Sequence, residues 1–152
     1  MPSTQEITRA NNDAVRHLYE GEFGQSLYSA TKALERMQAT LRANDQGGDQ
    51  EAIIKPPACK MIRSIPLPKL SDALAKVDSG AVDLFQCGLW FDCGQENKQQ
   101  DILLAAVLLY NTGLCHHMLA LRQQAGSSKM LERALTMYTM ASHLLTLSLI
   151  HI

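Results

Sequence analysis

The sequence predicts a mainly α-helical single domain over residues 1–152, with two antiparallel helical hairpins flanking a small β-hairpin-like insertion. Three observations carry that expectation. The chain has 152 residues, one domain's worth. It is 46% hydrophobic but only 5% aromatic, apolar enough for a core and leaning away from an all-β fold. Apolar residues recur at helical spacing in the first and last thirds, whereas Pro56, Pro57, Pro66 and Pro68 punctuate the middle.

Residues 1–6 read as frayed. Thr8 or Asn11 offers a cap for a first helix that runs to about Glu20 and buries Ala14, Val15 and Leu18. Gly21 breaks it, and Phe23 opens a second pattern. Phe23, Leu27, Ala30, Leu34, Met37 and Leu41 fall on one helical face. The polar, glycine-rich stretch 44–51 reads as a loop. Cys59 to Ile65 reads as a short strand ended by Pro66-Leu67-Pro68, and 71–81 as a turn or loop. Val82 to Phe91 reads as a second strand, weakened or ended by Gly88 and Gly94 and anchored on the helices by Trp90. Such a hairpin is marginal alone, so it must pack on the helices. A long helix follows from about Asp101 to Gln124. A turn at 126–128 has Ser127 or Ser128 as cap, and a last helix runs from about Lys129 to near the end. The units are thus 7–43, 57–92 and 101–150. The expected core of the long helices is Leu103, Val107, Leu108, Leu114, Met118, Leu135, Tyr138, Leu144 and Leu145.

Around Gly21 the residues have a mechanical logic. The glycine reverses the chain, Phe23 plugs the opening of the next helix, and small residues at Ser26, Ala30 and Ala33 let two helices approach closely. Ala14 supplies the matching small residue on the first helix. In the last third, Gly113 and then Ala134, Leu135, Tyr138 and Ala141 repeat the small–apolar–aromatic–small series. Over 7–43 and 101–146 the chain resembles a tetratricopeptide repeat. It departs from the repeat in the longer interval from Gly113 to Ala134, in Ala30 where the repeat prefers an aromatic, and in the missing terminal prolines. The order of helical pair, "IPLP" segment, "LLYNTGLCHH" and "RALTMYTMA" is similar to repeat-like proteins of microalgal genomes. The resemblance implies a bundle or short solenoid, and no activity.

Charge excludes some functions. Lys plus Arg is 14 and Asp plus Glu is 15, so nucleic acid is not an expected partner. The N-terminus lacks an apolar signal segment. Ile102 to Leu121 has the length of a membrane span, but Asn111, His116 and His117 interrupt it without flanking aromatics, so a soluble helix is expected and no membrane partner. Cys59, Cys87, Cys93 and Cys115 form no C-x-x-C pair and read as reduced thiols of an intracellular, cytoplasmic protein. His116 and His117 are about 100° apart on a helix, which is poor geometry for one metal. Cys87 with Cys93, plus Cys115 and His116, match no zinc spacing. Asp13, Glu20, Glu22 and Glu35 read as solvated faces. No nucleophile elbow, phosphate loop or dinucleotide fingerprint occurs, so neither an enzyme nor a cofactor is expected. Met118, Met130, Met137 and Met140 read as core fillers.

The last helix is unusual. Residues 134–152 carry no formal charge, and its polar side is Thr136, Thr139, Ser142, His143, Thr146 and Ser148. Hydroxyls bond back to helix carbonyls and tolerate burial better than charges do. That predicts cover on more than one face, from the insertion, a following repeat, or a second copy by self-association.

The expected function is a non-catalytic protein-interaction or scaffold module, with stacked helix pairs leaving a groove for a peptide or helix. Outward positions of the first helix of each pair, Asn11, Asn12, Arg16, Tyr110 and Asn111, are its candidate lining, with Asn side chains clamping a peptide backbone. A simple capping role is the plainer reading of an Asn near a helix start. One rival is a small-ligand binder or enzyme with a pocket of Cys87, Trp90, Tyr110, Cys115 and His116. Another is a purely structural oligomer subunit.

Overall fold

The computed structural model describes residues 3–46, 62–66, 87–92, 98–122 and 127–150. In chain order these form α1 (Thr4–Glu20), α2 (Phe23–Gln46), β1 (Ile62–Pro66), β2 (Cys87–Phe91), α3 (Lys98–Arg122) and α4 (Ser127–Ile150). The expected order of helix pair, extended insertion and helix pair is present. The stretches 71–81 and 123–126, with Cys59, Cys93 and Gly94, lie outside the described residues.

α1 starts earlier than the sequence suggests. Ser3 is its cap and accepts from the Glu6 amide, while the Glu6 carboxylate accepts from the Ser3 amide, a reciprocal capping box. Thr8 and Asn11 are therefore not caps; both are buried within the helix. At the other end Gly21 adopts a left-handed φ of 80°, the conformation that glycine takes without steric cost, and its amide turns back onto His17 and Leu18. Ser26 bonds the Ala14 carbonyl, and Ile7 packs with Ala33 and Met37, so α1 and α2 run antiparallel. Ala14, Ala30 and Ala33 are fully buried, the small-residue ladder expected between them.

α3 is the central rod. It packs against α2, α4, β2 and α1. Leu104, Val107, Leu108, Leu114 and Met118 are buried on it, and Gly113 lies against Met137 and Tyr138 of α4. By length and composition Gln100–Arg122 could cross a membrane; in the fold most of it is buried by protein. It begins at Lys98 rather than Asp101, and Asp101 accepts a hydrogen bond from Thr4.

β1 and β2 pair antiparallel, with Arg63 opposite Trp90 and Pro66 opposite Cys87. Pro66 is the last described residue of β1, where the proline run 66–68 is expected to end the strand, and Gly88 lies inside β2 rather than ending it.

α4 corrects two expectations. Its main contacts among the described residues are with α3 alone. Leu135 is 67% exposed and Leu145 40%, so neither is core, and Leu131 and Met140 are exposed too. The anticipated second cover is thus not present among the described residues. The hydroxyls behave as expected: Thr136, Thr139 and Thr146 each donate to the carbonyl four residues back.

Candidate functional site: an asparagine clamp on an extended strand

On α1, Ile7, Asn11, Ala14 and Leu18 share one face through their spacings of four, three and four, which turns an amide into the core. On α3, Leu104, Val107, Asn111, Leu114 and Cys115 do the same. Asn11 and Asn111 are both fully buried. A buried carboxamide without partners is costly, so these two must find donors and acceptors inside the protein.

They find each other and the main chain of β2. Asn111 Nδ2 donates to Asn11 Oδ1 at 2.7 Å and to the Leu89 carbonyl at 2.8 Å, while Asn111 Oδ1 accepts from the Leu89 amide at 2.9 Å. Asn11 Nδ2 donates to the Leu89 carbonyl and to Asn12 Oδ1, both at 3.1 Å. Asn12 grips Phe91 with both ends of its amide: Oδ1 accepts from the Phe91 amide at 3.0 Å, and Nδ2 donates to the Phe91 carbonyl at 2.8 Å. The Tyr110 hydroxyl donates to the Cys87 carbonyl at 3.0 Å. Asn11 and Asn111 thereby use every donor they have, and each Oδ1 accepts. Among the described residues of the ribbon, the clamp touches the alternate residues 87, 89 and 91, the edge of β2 turned away from β1. Pro66 can sit in β1 for the same reason. It faces Cys87 in a pair whose polar groups point away from each other, so its missing N–H leaves no gap in the ladder.

Side chains fill the space around the clamp. Phe91 is fully buried among Ile7, Ala33, Met37, Leu104 and Leu108. Gly88 is buried against Val15, where an added Cβ would stand 3.0 Å from Val15 Cγ1. Trp90 is half-buried, with the Arg63 guanidinium 5.8 Å from its ring, and Arg63 also pairs with Asp92 at 2.9 Å. Burial, with the neighbouring Cys87 thiol adding to it, raises the Tyr110 pKa, so its hydroxyl remains a donor at neutral pH. Beside Tyr110 an apolar cavity of about 370 Å³ opens between the ribbon and α4, lined by residues including Ile62, Leu89, Val107, Tyr138 and Leu145.

No protein-family model, no curated protein and no solved structure matches this chain.

Four of the five expected groove residues converge, Asn11, Asn12, Tyr110 and Asn111, but not at outward positions: Asn11 and Asn111 face the core and are fully buried against the chain's own β2. Arg16 does not join them. It is exposed and pairs with Asp13 at 3.2 Å, because its position on α1 turns it to solvent. The rival pocket is not assembled as expected. Cys115 is fully buried among Ala14, Leu18 and Leu114 and does not line the cavity. Ser26 spends its hydroxyl proton on the Ala14 carbonyl, so the Cys115 thiol donates to Ser26 Oγ at 3.1 Å. Burial pushes that thiol up to about 12, partly offset by the Ser26 contact. His116 is buried and does not line the cavity. Burial, and secondly Arg133, holds its pKa below the ordinary 6.5. His117 faces Tyr138, with 3.3 Å between Nδ1 and the hydroxyl. The occupant of the groove and the roles of Val15 and Phe91 were missed from the sequence. A readable signal existed in the Gly-x-x-Phe of an apolar strand, set against amides lying within apolar helix faces.

Proposed function

We propose that this chain is a non-catalytic protein-interaction module, built as two helical pairs of tetratricopeptide type, whose groove holds an extended main chain. The observation that supports this is the set of six hydrogen bonds between the side chains of Asn11, Asn12, Tyr110 and Asn111 and the backbone of residues 87, 89 and 91. Backbone bonding of this kind accepts any extended segment whose side chains fit. The pairing of α1 with α2, α2 with α3 and α3 with α4 is consistent with the repeat arrangement, as are Gly21, Phe23 and the alanine ladder. A non-catalytic role is supported by the Cys115 thiol, which is protonated at neutral pH and buried from any substrate. In the isolated chain β2 fills the groove. A partner's segment takes its place when the ribbon lifts, with an affinity reduced by the fraction of time the groove is open.

The test uses a fluorescein-labelled, acetylated peptide with the sequence of residues 87–92. It is titrated by fluorescence anisotropy into the wild-type chain and into Trp90→Ala, whose own strand is held less firmly. Saturable binding is expected, tighter to Trp90→Ala. Adding Asn12→Asp to that variant sets a carboxylate against the Phe91 carbonyl site and weakens binding about tenfold. Absence of saturable binding to a helical Trp90→Ala chain at millimolar peptide rules the reading out.

A further inference from the structure

Hydrogen bonds to the main chain carry no sequence preference, so any selectivity of the groove comes from the places where its walls constrain a side chain. Two such places are present, and they lie three residues apart on β2. At Gly88 the strand passes so close to α1 that a Cβ would stand 3.0, 3.5 and 3.7 Å from Val15 Cγ1, Cγ2 and Cβ. Val15 is itself only 1% exposed, so it has no open solvent to move into. At Phe91 the opposite holds: a socket formed by Ile7, Ala33, Met37, Leu104 and Leu108 encloses the ring completely. Between and beside them, Cys87, Leu89 and Trp90 are only half-buried and leave room for variation.

The two constraints also fix register. A slip of one residue turns the bonded edge away from the amides. A slip of two keeps the edge but drives either Trp90 or the side chain of residue 86 against Val15, and leaves the aromatic socket to a different residue.

We propose that the groove selects partner segments with a glycine at the Val15 crossing and an aromatic ring three residues later. The preferred ligand is thus an extended Gly-x-x-Phe peptide in which the two intervening positions are apolar. This rests on the reading of the groove as a partner site, and it names the partner's chemistry. Val15 acts as a gauge that admits only a residue without a Cβ, and the socket supplies most of the affinity. The chain's own β2 carries the same pattern, so it is a resident competitor rather than a separate structural feature.

The experiment compares three acetylated peptides on the Trp90→Ala chain: the sequence of residues 87–92, the same with Ala at the glycine, and the same with Ala at the phenylalanine. Both substitutions are expected to weaken binding by about tenfold or more. On the Trp90→Ala/Val15→Ala chain, the peptide with Ala at the glycine is expected to recover to within about threefold of the parent. That recovery reports contact with Val15 and would not follow from a general loosening of the groove. If Val15→Ala costs the chain its helical circular dichroism, the two peptide substitutions decide alone. If all three peptides bind equally, the selection rule is wrong and the groove reading stands. If none binds, the groove reading itself is wrong.

Discussion

Asn111 has its whole side chain out of water, and each polar atom on it is bonded to protein. Truncating it to alanine leaves the Leu89 amide without an acceptor and one Asn11 oxygen without its donor. The expected loss is about 3 kcal/mol, read from urea unfolding followed by circular dichroism. Replacing exposed Arg16 by alanine removes only a surface pair with Asp13 and is expected to change stability by less than about 0.5 kcal/mol. The histidines set a pH dependence. Burial, joined at His116 by Arg133, pulls His116 and His117 below the ordinary 6.5. The unfolded chain therefore takes up protons near that pH that the folded chain refuses. Stability is full above about 6.5 and falls as pH drops below it. Thermal melts at pH 7.5 and 5.5 should show a lower Tm at the acid value, with a smaller difference in His116→Gln. From sequence, the amides at 11, 12 and 111 could be recognised as backbone binders. Arg16 could not be separated from them, because where a residue points on α1 depends on which face the strand covers.

At the scale of single elements, glycines that look alike in sequence behave differently. Gly24 lies in the first turn of α2, and nothing stands within 4 Å of where a Cβ would be. Gly24→Ala is expected to stabilise the chain by about 0.5–1 kcal/mol through helix propensity. Gly113 lies in α3, where a Cβ would meet Tyr138 Cε1 at 3.0 Å and Met137 Cβ at 3.1 Å. The same propensity gain is then outweighed by about 1–3 kcal/mol of overpacking, so Gly113→Ala is expected to lower the denaturation midpoint. The helices were legible because their apolar residues recur at a period that few other structures share. The strands were legible only in outline. Each is five residues long, too short for periodicity to fix its ends. Pro66 was legible as the end of β1, but its pairing with Cys87 was not, because the sequence does not show which strand edge needs a donor.

Across the molecule, support is uneven. α3 is enclosed by α1, α2, β2 and α4, whereas α4 leans mainly on α3 and exposes Leu131, Leu135, Met140 and Leu145. Native-state hydrogen exchange should find the amides of α3 opening only with global unfolding, and those of α4 opening at a lower free energy. Equal protection in the two helices would contradict that order. The two helical pairs followed from Gly21 and the alanine ladder. The long-range fact, that α1 and α3 close on a strand about 80 residues from one and 20 from the other, follows from no local pattern.

The carboxamides of Asn12 and Asn111 present a C=O and an N–H side by side, as a single residue of an extended strand does, and meet residues 91 and 89 as a neighbouring strand would. The two-stranded ribbon thus ends on an imitation third strand made of side chains. An open edge invites stacking with other chains, and here that edge is sealed by the helices. Variants that empty the seal would leave that edge adhesive, so loss of these amides should register as precipitation before it registers as loss of helix.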